Sequence, residues 1–284
     1  MRLVTLGALG AQATITAEIR RPVHTAASPG DPDRIFIVDH RHEVLEETVD
    51  PTNPNRVNPA IPPRTIITIV HPDDQARGHH GGWIGFDPAG NLFVTVGDGD
   101  AKPFDDVSQD LSNPFGAVLR IRPVALSDPA SLNGDLANNF TVPADNPFVG
   151  EPGLDEIYAY GLRNPFRGSI DPVTGLLIVS DVGEDSFEEV DVVRPGDNFG
   201  WPGFEGTEPF PGSPLAEEPD PVADPLFVRA HSESPFNALA LVGGPIYRGD
   251  IAALKGRYFF IDFAFARIGS ITIAPDAVSF SDPI

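Results

Sequence analysis

The chain has 284 residues, a formal net charge of −22 at pH 7, no cysteine, and lysine only at Lys102 and Lys255. That charge excludes a nucleic-acid partner, because phosphate backbones attract basic surfaces. The missing thiols exclude disulfides, thiolate zinc sites and cysteine nucleophiles. With 28 glycines, 31 prolines and 41% hydrophobic residues, the composition supports a sizeable core built from short strands and turns rather than helices.

In chain order, residues 1–13 (MRLVTLGALGAQA) read either as a signal-like segment or as a first strand, and the same choice covers 1–21 as a whole. No apolar run is long enough to span a membrane. RIFIVD at 34–39 is a strand. Residues 51–64, rich in Pro and Asn, are expected to form a loop. TIITIV at 65–70 is a β-branched strand, and 71–82 is polar and turn-like. FDPAGNLFVTVGD at 86–98 resembles IDPVTGLLIVSD at 170–181: an apolar-Asp-Pro entry, a turn closed by Gly, then an apolar strand ending in Asp. With RIFIVD and RYFFID, four apolar strands finish at Asp39, Asp98, Asp181 and Asp262. Either Asp simply favours the turns that follow, or repeated modules bring equivalent positions to one axis. Such modules point to an all-β chain folded as a β-propeller, with strands for about four blades.

Residues 116–122 alternate as a strand. Residues 123–154 and 203–235 are expected to be long loops, and 239–248 with 256–265 a closing strand pair. No linker divides the chain, so 1–284 is expected to be one domain without an amphipathic helix.

Chemistry concentrates in 156–202. Arg163, Asn164, Asp181, Glu184, Asp185, Glu188 and Glu189 crowd together there, which means either solvated surface or a site that holds a cation. His79 and His80, in GHHGGWIGF, are a general-base candidate or a surface pair, since histidine titrates near neutrality. Arg163 and Asn164 lie on a turn fixed by Pro165, which suits an oxyanion or simply a nearby carboxylate. GEDSFEEVD at 183–191 offers carboxylates and exposed carbonyls of the kind calcium takes, or is an acidic loop. The spacing is not that of an EF-hand, and Walker A, GxGxxG, GxSxG and HExxH patterns are absent.

The segments GHHGGWIGFDPAGNLFVTVGDGD, EIYAYGLRNPFR, DVGEDSFEEVD, GDNFGWPGFEG and GGPIYRG, in this order, resemble the soluble glucose/sorbosone dehydrogenases. These are pyrroloquinoline-quinone (PQQ)-dependent aldose sugar dehydrogenases, six-bladed β-propellers that are periplasmic or secreted. The resemblance runs from about residue 22 to about residue 273. It implies oxidation of an aldose at C1 to the lactone, with electrons passed to an external acceptor. His79 would be the base. Arg163 and Asn164 would contact the quinone, Arg163 countering charge as the quinone is reduced. The carbonyls of Gly183 and Glu184 would hold the active-site calcium, and Glu189 with the Phe199 carbonyl a structural one. Arg248 would lie near the cofactor carboxylates. Three features depart from the family: Gly78 replaces a polar residue before the histidine, a stretch worth about a blade is missing after Asp39, and the chain stops before the strands that close the ring. An incomplete ring of about four to five blades is therefore expected. A non-catalytic calcium-binding propeller for sugar or protein is the alternative, and a calcium-dependent lactonase a third reading.

Overall fold

The computed structural model describes residues 22–39, 43–58, 60–61, 63–70, 78–101, 105–124, 139–216, 223–232, 239–274 and 277–281. The signal-like or first-strand reading of 1–21 lies outside them. Four antiparallel sheets follow one another along the chain. The first holds β1 (Pro22–Ala26), β2 (Arg34–Asp39) and β3 (Glu43–Asp50), with β4 (Asn53–Val57) and β5 (Arg64–Thr68) both paired to β3. The second runs β6 (Ile84–Phe86), β7 (Leu92–Val96), β8 (Ala117–Pro123), with β9 (Phe140–Thr141) and β10 (Ile157–Ala159) both on β8. The third comprises β11 (Pro165–Ile170), β12 (Leu177–Asp181) and β13 (Phe187–Val193). After a small hairpin, β14 (Phe204–Glu205) and β15 (Glu208–Pro209), β16 (Phe227–Ala230) completes it. The fourth is β17 (Leu241–Ile246), β18 (Arg257–Asp262), β19 (Arg267–Ala274) and β20 (Ala277–Ser281).

The architecture is a β-propeller, and its cores lie between successive sheets. Phe36, Ile66, Leu92 and Leu119 fill the space between the first and second. Trp83, Phe93, Leu162, Leu177, Val179 and Phe199 fill the next. Ile178, Val190, Leu241, Tyr258 and Ile271 join the third to the fourth. Each such fully buried side chain contributes about 1.5–3 kcal/mol. This stacking explains the strand patterns. β7 and β12 are buried at every residue because each lies between two neighbouring sheets, and they read as unbroken apolar runs. β18 alternates instead: Tyr258 and Phe260 face the third sheet while Ile261 is 43% exposed.

Several loop expectations need correction. β4 lies within the expected 51–64 loop, because the Asp50 carboxylate accepts from Thr52 N at 2.8 Å and Thr52 Oγ1 at 2.7 Å and turns the chain back onto β3. β9 interrupts 123–154. The β14–β15 hairpin and β16 interrupt 203–235. The expected closing pair is β17–β18, but β19 and β20 extend the sheet beyond it.

Candidate active site

The recurring aspartates are buried, and each lies at or just past the end of its sheet's second strand. Two of them cap the entry to the first strand of their own sheet. Asp181 accepts from Arg163 N at 2.8 Å and Asn164 N at 2.6 Å. Asp262 accepts from Leu239 N at 2.7 Å and from Phe265 N at 2.6 Å. Repetition here reflects a turn-fixing device, because an Asp at a strand end can satisfy the backbone donors of the neighbouring turn.

Asp98 has been diverted from that task. Its Oδ1 lies 2.7 Å from His79 Nδ1 and accepts from Asp100 N at 3.0 Å, while its Oδ2 accepts from the Trp201 indole Nε1 at 2.9 Å. The carboxylate is thus fixed on three sides, and it fixes the imidazole. With Nδ1–H donated to Asp98, Nε2 carries the lone pair. Nε2 faces Asp100 Oδ1 at 3.8 Å, beyond hydrogen-bond reach, and the His79 side chain is 18% exposed. The backbone of His79 has a positive φ of 51°, a region that β-carbon-bearing residues occupy only where the surroundings enforce it. Gly97, just past the end of β7, permits this close approach: a β-carbon there would stand 2.0 Å from the His79 carbonyl, so only glycine lets the two segments touch.

Arg163 joins this group to the third sheet. Its carbonyl accepts from Asp98 N at 2.7 Å, its Nη1 donates to the Val182 carbonyl at 3.0 Å, and its Nη2 pairs with the Glu184 carboxylate. The guanidinium carbon lies 5.5 Å from the Trp201 ring centroid, and the buried Nε has no partner. Asn164 Oδ1 accepts from Gly81 N at 3.1 Å, which ties the histidine loop to the same turn. His79, Arg163, Asn164 and Glu184 are therefore linked through Asp98, Gly81 and the 163–164 turn.

Gly183 and Glu184 belong to a tight loop. The amides of Glu184, Asp185, Ser186 and Phe187 all donate to Glu205 Oε1, at 2.8, 2.9, 2.9 and 3.1 Å. In a trans peptide the carbonyl points opposite to the amide, so the Gly183 and Glu184 carbonyls are turned away from Glu205. Neither accepts a hydrogen bond among the described residues. They are hard oxygen donors left available, and in that respect they fit calcium. Glu189 lies deeper, opposite Asp181 in the β12–β13 ladder, with Asp191 two residues on along the same face. Glu189 accepts from Gly206 N, and neither carboxylate oxygen of Asp191 has a partner. Burial, then mutual repulsion, raises Glu189 to about 8 and Asp191 well above the carboxylate range. Burial also lifts Asp181 to about 7, against the pull of its two amide donors. Three carboxylates on one face without a cation form an environment that a divalent ion would relieve. Phe199 is buried in the core cluster that this face adjoins. Among the described residues no three His, Asp or Glu side chains converge closely enough to form a metal site by themselves.

Arg248 is not part of this site. It binds Asp171 through Nε at 2.8 Å and through Nη2. Asp171 follows β11, at the strand end remote from Arg163, roughly 20 Å away at about 3.3 Å per residue. Burial would raise Asp171, but Arg248 and Thr174 hold its carboxyl down at about 2. The guanidinium is committed to closing the β11–β12 turn, which corrects the expectation that it lies near a cofactor.

Sequence reasoning did not assign Asp98 as the partner of His79, Trp201 as the support of Asp98, or Glu205 as the organiser of the 183–187 loop. The recurring strand-end Asp was the available signal for the first. Nothing local pointed to the other two.

A propeller with a carboxylate-oriented histidine, an arginine turn and an oxygen-rich loop at one end defines the class of protein. The Glucose / Sorbosone dehydrogenase family model matches residues 52–280, and the chain belongs to that family. It is 32% identical over 236 residues to the HIPL1 protein of Arabidopsis thaliana, covering 77% of this chain and 33% of the relative. It is 31% identical over 140 residues to the aldose sugar dehydrogenase YliI of Escherichia coli K12, covering 49% of this chain and 33% of the relative. The chain thus spans about a third of the length of these curated relatives. The PQQ-bound aldose sugar dehydrogenase of Streptomyces coelicolor superposes with a TM-score of 0.63 at 21% identity, covering 93% of this chain and 66% of that one.

Proposed function

We propose that this chain is the catalytic propeller of a PQQ- and calcium-dependent aldose dehydrogenase. Its substrate would be an aldose oxidised at C1 to the lactone, with an external acceptor taking the electrons and a periplasmic or secreted location. His79 removes the C1 hydroxyl proton at Nε2, and Asp98 stabilises the imidazolium that results. Trp201 keeps Asp98 in place. Arg163 presents positive charge beside the site, and Asn164 holds the histidine loop against it. PQQ, when bound, would supply the two-electron sink for the hydride from C1. The Gly183 and Glu184 carbonyls would hold calcium there, and Glu189 with Phe199 would hold the second ion. The observation that carries the reading is the 2.7 Å contact between His79 Nδ1 and Asp98. The test is dye reduction with PQQ, calcium and a panel of aldoses: His79→Ala should abolish it, and undiminished turnover refutes the role.

A second reading, a non-catalytic calcium-binding propeller for sugar or protein, draws support from Arg163, whose guanidinium is already paired with Glu184. Calorimetric titration separates the two. Calcium-dependent PQQ binding supports the enzyme, and calcium binding with no PQQ binding supports the binding module.

A further inference from the structure

The first strands of the four sheets, β1, β6, β11 and β17, pack successively around the axis. Their residues are largely half-buried, as expected for strands that line a channel. Two basic side chains from these strands come together. Arg167 on β11 donates through Nη2 to the Val23 carbonyl of β1 at 3.2 Å, so its guanidinium reaches from the third sheet to the first. Its Nη1 donates to the Phe166 carbonyl at 2.8 Å, with the cation 4.3 Å from the Phe166 ring centroid. The imidazole of His24, the next residue on β1, makes no hydrogen bond to another described residue. Its ring lies 6.2 Å from that of Trp83, which in turn packs on Gly168 beside Arg167.

Arg167 differs from five arginines of this chain that reach a carboxylate. Arg34, Arg64, Arg120, Arg163 and Arg248 each reach a carboxylate. Arg167 reaches only backbone carbonyls among the described residues, in a protein of net charge −22. A guanidinium has five N–H donors in a planar fork, and the two carbonyls leave part of that fork unsatisfied. Burial lowers the pKa of Arg167, a sign that its charge is poorly solvated where it stands. Burial and the Arg167 charge together hold His24 at about 4, so at neutral pH its imidazole is an uncharged partner with one N–H to offer. A partly desolvated guanidinium fork beside a neutral imidazole is chemically matched to an oxyanion.

We propose that Arg167 and His24 form an anion site in the central channel, which takes the oxyanion of a carboxylate or phosphate, either free or carried on a sugar. The site does not depend on the dehydrogenase reading, since neither PQQ nor His79 takes part. The test uses the whole chain at pH 7.5 and constant ionic strength, titrated separately with phosphate, acetate, glucuronate and glucose. Binding is read by calorimetry and by tryptophan fluorescence, and melting temperature is followed in parallel. Wild type should show saturable anion binding with a rise in melting temperature. Arg167→Gln should weaken it by about tenfold or more, and Arg167→Lys by less, because lysine keeps the charge without the fork. His24→Gln, which leaves the bonds of Arg167 in place, should weaken it severalfold. Arg120→Gln, which alters an arginine already paired with Asp145, should leave it unchanged. Tighter binding of glucuronate than of acetate or glucose would show that the anion arrives on a sugar, and equal binding of acetate and glucuronate that it is a free ion. Absence of saturable binding to wild type, or undiminished binding to folded Arg167→Gln and His24→Gln, overturns the proposal.

Discussion

Replacing Asp98 with asparagine keeps the shape of the side chain and removes its charge and one acceptor. In the native site the carboxylate, 2% exposed, faces three donors: His79 Nδ1 at 2.7 Å, Asp100 N at 3.0 Å and Trp201 Nε1 at 2.9 Å. An amide can place its oxygen toward only one side. If the oxygen stays with His79 and Asp100, the amide NH₂ meets the Trp201 indole N–H and leaves a buried donor unsatisfied, which costs about 1–3 kcal/mol. Loss of charge from the remaining bonds brings the total to about 2–4 kcal/mol. If the amide turns over, its NH₂ donates to Nδ1 and forces the proton onto Nε2. The imidazole then cannot accept a proton from substrate, and turnover should fall by about 10² to 10⁴. The stability arm is a denaturant titration followed by tryptophan fluorescence, since Trp201 reports on the bond itself. The activity arm is dye reduction with PQQ and calcium present. A variant as stable as wild type, with undiminished turnover, refutes the argument that Asp98 orients His79 and is held by Trp201.

Arg248→Ala tests the reassignment of that residue. Removal of the guanidinium leaves the buried Asp171 carboxylate without its charged partner, which should lower stability by about 2 kcal/mol and leave PQQ affinity unchanged, as read by calorimetry. The buried acids give a pH dependence with a definite sign. Glu189 and Asp181 titrate near 8 and 7 in the folded chain, above their ordinary carboxylate values, so the folded state binds more protons than the unfolded one between about pH 4 and 8. In the absence of divalent ions, stability from this cluster is fully present below the unfolded values, falls progressively as pH rises above about 4, and is fully lost once pH has passed 7 to 8. The change is on the order of several kcal/mol, since each pH unit by which a carboxyl is raised is worth about 1.4 kcal/mol. Calcium at pH 8 should restore the melting temperature and do little at pH 5. Glu189→Gln should flatten the pH response and remove much of the calcium effect.

The apolar strands ending in Asp39, Asp98, Asp181 and Asp262 disclosed the repeat, and with it the propeller. Continuous burial of β7 and β12 on both faces produces an unbroken apolar run that needs no three-dimensional information to recognise. β3 and β16 were not recognisable in this way. β3 carries Glu46 and Glu47 in buried positions, and Glu46 is tolerated there because Arg34 and Arg64 reach it from other strands. β16 lies 34 residues after β13 ends, and only its pairing with β13 makes it a strand.

His79, Arg163 and Asn164 could be singled out as candidates from local residue chemistry, because the residue types and their spacing are contained within short segments, whereas Gly183, Glu184 and Glu189 took specific roles only through the family resemblance. What each side chain does was decided by contacts between segments far apart in sequence. The chain offers four strand-end aspartates of one kind. Only the approach of Trp201, 103 residues away, and of the 79–82 loop turns Asp98 from a turn cap into the partner of a histidine. Arg248 shows the converse: its motif suggested a place at the site, but β17 runs away from it and delivers the guanidinium to Asp171. Local sequence determines strand, turn and donor type. Register and sheet packing determine which end of the propeller each group reaches and which partner it meets, because a side chain of a few ångströms can act only where the backbone delivers it.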